Sequence, residues 1–296
     1  MSAYDILIDE FNNKTPNGLY YFTQINFSYN SNRIEGSKLS KDQTRYIYET
    51  SSLLSQKDEV IKVDDIIETI NHFKAFDFIL QTAKKSLDEN YIKNIHKILK
   101  QGITKNQIIG EFKTKQNYIG DFITTRPENV SKEINNLLNN YSKIENIRID
   151  DIIDFHHKFE SIHPFEDGNG RTGRLIMFKE CLKNNIIPFI IDEEHKLFYY
   201  RGLREYKTTK GFLIDTCLSA QDTYAEILEN YIKNSTQKNT KNKTIEEQKV
   251  SNINLDEIRN SLGQINKLSS DFNDIWNDEK NKTNKNSNTR KQKWWQ

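Results

Sequence analysis

The chain has 296 residues with 43 basic and 42 acidic side chains, a net charge of +1. That balance excludes the broad basic footprint of a protein that binds DNA, RNA or an anionic membrane, so any anion site must be local. Eleven glycines and four prolines are too few for a turn-rich sandwich, and a mainly helical, all-α fold is expected instead.

Met1 to Phe11 is acidic and lacks a basic-then-apolar leader, and no segment is long and apolar enough to span a bilayer. The expectation is a soluble, cytoplasmic protein with no nucleic-acid or membrane partner. Cys181 and Cys217 lack metal-ligand spacing and fall in apolar-periodic stretches, so they read as buried free thiols.

The first 35 residues are aromatic-rich, with Tyr20, Tyr21, Phe22, Phe27 and Tyr29, and read as one or two helices. Ser40 to Gln43 is a capping box that opens a helix to about Ser55. Helical spacing of apolar residues follows over 64–85 (Ile66, Ile70, Phe73, Leu80) and over 90–101 (Tyr91, Ile95, Leu99). From Ile108 to Ile123 the residues turn β-branched and aromatic, broken by Gly110 and Gly120 and stopped by Pro127, which predicts a short β-hairpin flap. Helices resume over 130–141 and 150–162, then over 170–184, 194–206 and 211–233. Residues 234–253 read as a polar linker. Leu255, Ile258, Leu262, Ile265, Leu268, Phe272 and Ile275 give one amphipathic helix over 254–277. The tail, 278–296, reads as disordered and closes on Trp294-Trp295.

The chemistry is concentrated in His163-Pro-Phe-Glu-Asp-Gly-Asn-Gly-Arg-Thr-Gly-Arg174. Gly168 and Gly170 allow positive φ and leave backbone N–H groups uncovered just where a helix begins, which makes an anion cradle. Arg171 and Arg174, three apart, share one helix face beside it, and two guanidinium forks there suit a polyphosphate. Asp167 is placed to hold Mg²⁺. His163, at the end of the preceding helix, is the one group there that titrates near neutrality, hence the candidate general base. An EF-hand does not fit, because Thr172 takes the glycine position and Phe178 the twelfth; a P-loop does not fit because no Gly-Lys-Ser/Thr follows.

The stretch resembles the signature of the Fic family, with His163, Phe165, Asp167, Gly168, Asn169, Gly170, Arg171 and Arg174 all at specified positions. The resemblance implies a helical fold with a hairpin flap, and an adenylyltransferase that uses ATP with Mg²⁺ (or Mn²⁺) to move AMP onto a Ser, Thr or Tyr hydroxyl of a target protein or of itself. It implies His163 as base, Asp167 as metal ligand, and an ATP site of Gly168, Asn169, Gly170, Arg171, Thr172, Gly173, Arg174 and Tyr200. Asn169 and the glycine amides would hold the α-phosphate and the arginines the β- and γ-phosphates. Tyr199, Tyr200 and Leu203 resemble the adenine-side segment, and Lys113 stands where the flap often has an arginine.

Ser31-Asn-Arg-Ile-Glu35-Gly36 resembles the family's inhibitory motif. It implies an autoinhibitory segment over about 19–36 in a domain of 1–233, with Ser31 and Glu35 on one face and Glu35 competing for Arg174. A glutamate there also fits an AMP-removing phosphodiesterase. A non-enzymatic scaffold is the third reading, disfavoured by the intact His163, Asp167 and arginine pair. Family members often form dimers, so a homodimer is compatible with the sequence.

Overall fold

The computed structural model describes residues 2–54, 60–103, 108–120 and 122–251, with side chains described only as far as 235. As expected, it is mainly helical, with a small hairpin. Ser2 and Asp5 form a capping box that opens α1, Ala3–Asn13. Gly18 opens α2, Leu19–Ile34. The expected box of Ser40 and Gln43 opens α3, Lys41–Thr50. This helix ends short of Ser55 because Ser51 turns left-handed at φ 54 and closes it. Then follow α4, Val63–Gln81, and α5, Glu89–Lys100, which Asp88 caps.

The hairpin is shorter than the β-branched run suggested. Among the described residues only β1, Tyr118–Ile119, and β2, Phe122–Ile123, pair, antiparallel, with Tyr118 opposite Ile123 and Ile119 opposite Phe122. Pro127 does more than stop it: it sits at the start of α6, Pro127–Tyr141, where a missing N–H costs nothing. Next come α7, Ile149–Ile162; α8, Asn169–Lys183; α9, Lys196–Glu205; and α10, Gly211–Ser251.

The chain divides into two compact units, 1–233 and 234–296. The backbone of α10 stays helical through Ser251, over the stretch that read as a linker. That stretch has no glycine or proline to break a helix. The helix expected over 254–277, the tail 278–296 and Trp294-Trp295 lie outside the described residues.

In the first unit α8 is the axis, buried on nearly all sides among α2, α4, α5 and α7. Such a helix needs apolar residues all round, and Leu175, Ile176, Phe178 and Leu182 supply them. Phe178 packs on Phe27 of α2 at 5.1 Å and edge-on to Phe76 of α4 at 5.5 Å between ring centroids. Cys181 and Cys217 lie unpaired in a second apolar cluster with Met177, Phe189 and Tyr199. This packing fixes the N-terminus of α8, where the site lies. No helix among the described residues is long and apolar enough to cross a membrane.

Candidate active site

Helix α7 ends on His163, whose backbone is left-handed at φ 51 and whose N–H still donates to the Phe159 carbonyl. The next residue is Pro164, which cannot continue the helix. There the imidazole lies within electrostatic reach of Lys113, Glu35 and Asp167. His163 Nδ1 lies 3.3 Å from the Glu160 carbonyl oxygen, so Nδ1 carries the hydrogen and Nε2 is left to accept a proton. Burial holds the imidazole down to about 4, and the charge of Lys113 adds to the effect, so His163 is neutral at pH 7.

The loop from 164 to 168 is held from within. Asn169 Oδ1 accepts from the Phe165 N–H and Asn169 Nδ2 donates to the Phe165 carbonyl, both at 2.8 Å. Phe165 is fully buried and stacks on His96 at 3.8 Å. His96 in turn holds the Asp167 carbonyl oxygen through Nε2 at 3.0 Å. Asn169 therefore clamps the loop with both ends of its amide, rather than offering its side chain to a phosphate. Thr172 and Gly173 also differ from their expected place in an ATP site. The Thr172 hydroxyl donates back to the Gly168 carbonyl at 2.9 Å and is buried. Gly173 faces α7, where a Cβ would lie 2.7 Å from Glu160 Oε1 and 2.8 Å from the His156 ring. Both residues shape the site from behind.

What remains at the front is the first turn of α8. Its N-cap Gly168 is left-handed at φ 81 and brings no side-chain cap, so the turn presents amides and the positive end of the helix dipole. Glu35 lies over it. A Cβ on Gly170 would sit 2.3 Å from Glu35 Oε1, so only glycine admits the carboxylate there. Glu35 is the C-cap of α2, one residue past the helix, with Gly36 turning away at φ 97.

The two arginines are both buried, at 3% exposure, yet they diverge. Arg174 turns to α2. Its NH2 donates to Glu35 Oε1 at 2.7 Å and to the Ser31 carbonyl at 2.9 Å, and its Nε donates to Ser31 Oγ at 3.1 Å. NH1 has no partner among the described residues. Burial opposes the ionisation of Glu35, but the charges of Arg174 and Arg171 outweigh it and hold the carboxyl below its ordinary range. Arg171 turns to α4, where NH1 pairs with Glu68 Oε2 at 2.5 Å. Asp167 Oδ2 accepts from Lys100 Nζ at 2.6 Å and lies 3.8 Å from Arg171 NH2. Burial would raise the Asp167 carboxyl; Lys100 and Arg171 together drive it well below the usual carboxylate range.

Lys113, expected in a strand of the flap, instead anchors it. Its Nζ donates to Asn117 Oδ1 at 2.6 Å, Thr124 Oγ1 at 2.7 Å and the Ile162 carbonyl at 3.3 Å, while Asn117 Nδ2 holds the Phe165 carbonyl at 2.8 Å. The hairpin is thus tied at its base to the turn that carries His163, and Tyr118, Phe122 and Ile123 are left exposed. Tyr200 reaches the site from α9 and donates to the Ile34 carbonyl at 3.0 Å, at the end of α2 beside Glu35. Tyr199 and Leu203 pack in the apolar cluster, and the Tyr199 hydroxyl meets His156 Nε2 at 2.7 Å.

The structure therefore brings together His163, Asp167, Gly168, Gly170, Arg171, Arg174, Ser31, Glu35 and Tyr200. It adds Lys100, Glu68, His96 and Glu160, which the motifs do not mark. Lys100 and Glu68 sit in amphipathic helices where a charged residue reads as solvent-facing, so no local signal exposes them. Glu160, three residues before His163 on the same helix, could have been found by spacing alone.

Comparisons with known proteins agree with this fold. Residues 86–181 match the family model described as the Fic/DOC family. A protein adenylyltransferase Fic of Nematostella vectensis is 28% identical over 194 residues, 62% of this chain and 43% of that protein. One of Aedes aegypti is 31% identical over 185 residues, 61% of this chain and 36% of that protein. The chain spans less than half the length of these curated relatives. Among solved structures, a Fic-domain-containing signalling protein of Bacteroides thetaiotaomicron superposes with a TM-score of 0.62 at 19% identity, over 78% of this chain and 95% of that one. Fic-1 of C. elegans gives 0.61 at 22%, over 80% and 72%. These two likenesses show the fold.

Proposed function

We propose, from the premise that residues 86–181 of this chain belong to the Fic/DOC family, that the protein is an adenylyltransferase which moves AMP from ATP onto a Ser, Thr or Tyr hydroxyl of a protein and is held back by Glu35. The observation that carries this reading is the shared position of His163, the uncapped first turn of α8 and Arg174 with Glu35 upon it.

His163 Nε2 takes the proton of the attacking hydroxyl as its oxygen bonds to the α-phosphorus, and the bond to the β-phosphate oxygen breaks to release diphosphate. The amides at the start of α8 hold the α-phosphate as charge builds, and Arg171 and Arg174 hold the β- and γ-phosphates. Asp167 would be the carboxylate that holds a metal ion here, together with oxygens that the nucleotide would supply. Such an ion would neutralise phosphate charge. Glu35 stands on the same helix turn and the same guanidinium that the γ-phosphate requires, so ATP and Glu35 compete for Arg174. The exposed hairpin offers its backbone edge to an extended target segment.

Incubation with labelled ATP and Mg²⁺ or Mn²⁺, followed by intact-mass measurement, should show a gain of one AMP on the chain itself, larger for Glu35→Gly. His163→Ala should lower transfer roughly 10²–10⁴-fold. Transfer unaffected by His163→Ala would sink the mechanism. Loss of AMP from a pre-modified protein, abolished by Glu35→Gly, would favour the phosphodiesterase reading instead. No nucleotide chemistry of either kind would leave a scaffold.

A further inference from the structure

Lys100 closes α5 with no exposed surface at all. Its stem runs beneath the left-handed Gly168, where a Cβ would meet Lys100 Cδ at 3.1 Å. Its Nζ reaches Glu68 Oε1 at 2.5 Å and Asp167 Oδ2 at 2.6 Å. Glu68 Oε2 pairs with Arg171 NH1 at 2.5 Å, and Arg171 NH2 returns to Asp167 Oδ2 at 3.8 Å. Two cations and two carboxylates thus alternate in a neutral ring, and the ring contains Asp167, the carboxylate proposed above to hold a metal. Among the described residues no group of three or more metal-ligating side chains exists elsewhere to take that part.

We infer that Lys100 is a resident counter-cation, which keeps Asp167 from holding a divalent ion until a nucleotide brings its own negative charge. This rests on the reading of Asp167 as the metal carboxylate. A dication that approaches the nucleotide-free ring meets a carboxylate already compensated and an ammonium fixed 2.6 Å away. Their repulsion acts at short range, from an ammonium that is fully buried beside a carboxylate that is 42% exposed. Polyphosphate oxygens reverse the local balance and complete the coordination shell. The ion and the nucleotide are then taken up together, and free Mg²⁺ neither occupies the site nor loosens the ring.

The test is a titration of the full chain with Mn²⁺, followed by electron paramagnetic resonance, with and without a non-hydrolysable ATP analogue. Wild type should show Asp167-dependent binding only with the analogue. Lys100→Met keeps the volume under Gly168 and removes the charge; without nucleotide it should bind Mn²⁺ about tenfold tighter or more. Asp167→Asn in that background should erase the gain, and Lys100→Arg should behave as wild type. Equal nucleotide-free affinities in wild type and Lys100→Met overturn the inference. Should Lys100→Met not fold, wild type alone decides, because Asp167-dependent Mn²⁺ binding in the absence of nucleotide also overturns it. Binding that survives Asp167→Asn even with nucleotide would reject Asp167 as the metal ligand, while leaving AMP transfer, read by mass, as a separate result.

Discussion

Arg171 and Arg174 are three residues apart on one helix, equally buried and equally charged, yet they live in different regions of the molecule. Arg171 belongs to a ring with Glu68, Lys100 and Asp167, anchored in α4 and α5, in which each carboxylate has two cationic neighbours, although Asp167 itself is 42% exposed. Arg174 belongs to the rim, where its carboxylate partner hangs from the end of α2 and is 27% exposed. The difference lies in what happens when the partner leaves. Glu35 can swing into water about the turn at Gly36, whereas Glu68 has charged neighbours on both sides and nowhere to go. The same ion-pair chemistry thus gives a scaffold in one case and a removable contact in the other.

That contrast can be broken by experiment. The largest effect is expected from Arg171→Met, which leaves Glu68 and Asp167 to share Lys100 as their cation and should lower unfolding free energy by roughly 1–3 kcal/mol. Urea denaturation should show a smaller loss for Arg174→Met, and equal losses would erase the distinction between ring and rim. Next in size, Glu35→Gln should raise self-labelling by ATP roughly tenfold, on the scale of an ordinary coupling energy, while the melting temperature stays close to wild type. A smaller effect belongs to Glu160, whose carboxyl burial pushes up to about 8. Arg174 of α8 pulls against that shift, Glu35 of α2 adds to it, and His156 and His163 of α7 and Tyr199 and Tyr200 of α9 face the same space. The folded state keeps this proton after the unfolded chain has lost it, so stability should fall as pH rises from about 5 toward 8. Glu160→Gln should flatten that fall in melting curves taken from pH 5 to 9. The smallest change should come from Phe122→Ser in the hairpin. Its side chain is 60% exposed, so stability should move by no more than about 0.5 kcal/mol, and any larger effect should appear only in transfer to a protein target.

The helices and the site segment were legible because their signals are local. Ser40 to Gln43 is a capping box whether or not anything packs on it, and the glycines of 168–170 announce an uncovered helix start. The contact between Arg174 and Ser31 with Glu35, 139 residues apart for the Glu35 pair, could be expected only because a known pattern links the two motifs. Where patterns assign roles by type, the structure assigns them by direction. Asn169 is a polar residue in a glycine-rich loop, yet its amide is used within the loop, and Thr172 back-bonds into its own helix. The hairpin is shorter than expected because β-branched residues between Ile108 and Ile123 signal a strand, while the side chains of Lys113 and Asn117 are tied to the turn around His163. Lys100 was invisible because a lysine at the end of an amphipathic helix ordinarily faces water.

Ser31 holds Arg174 by two bonds that do not involve Glu35, one to its hydroxyl and one to its backbone carbonyl. A free arginine side chain loses roughly 2 kcal/mol of rotamer entropy when it is fixed. Here that ordering is complete in the resting fold and survives the departure of the glutamate. Relief of the contact would therefore leave a rigid, already aimed guanidinium rather than a flexible one that must be recaptured. An anion that replaced Glu35 would meet a receptor whose shape is set in advance by Ser31, on the same helix that ends at Glu35.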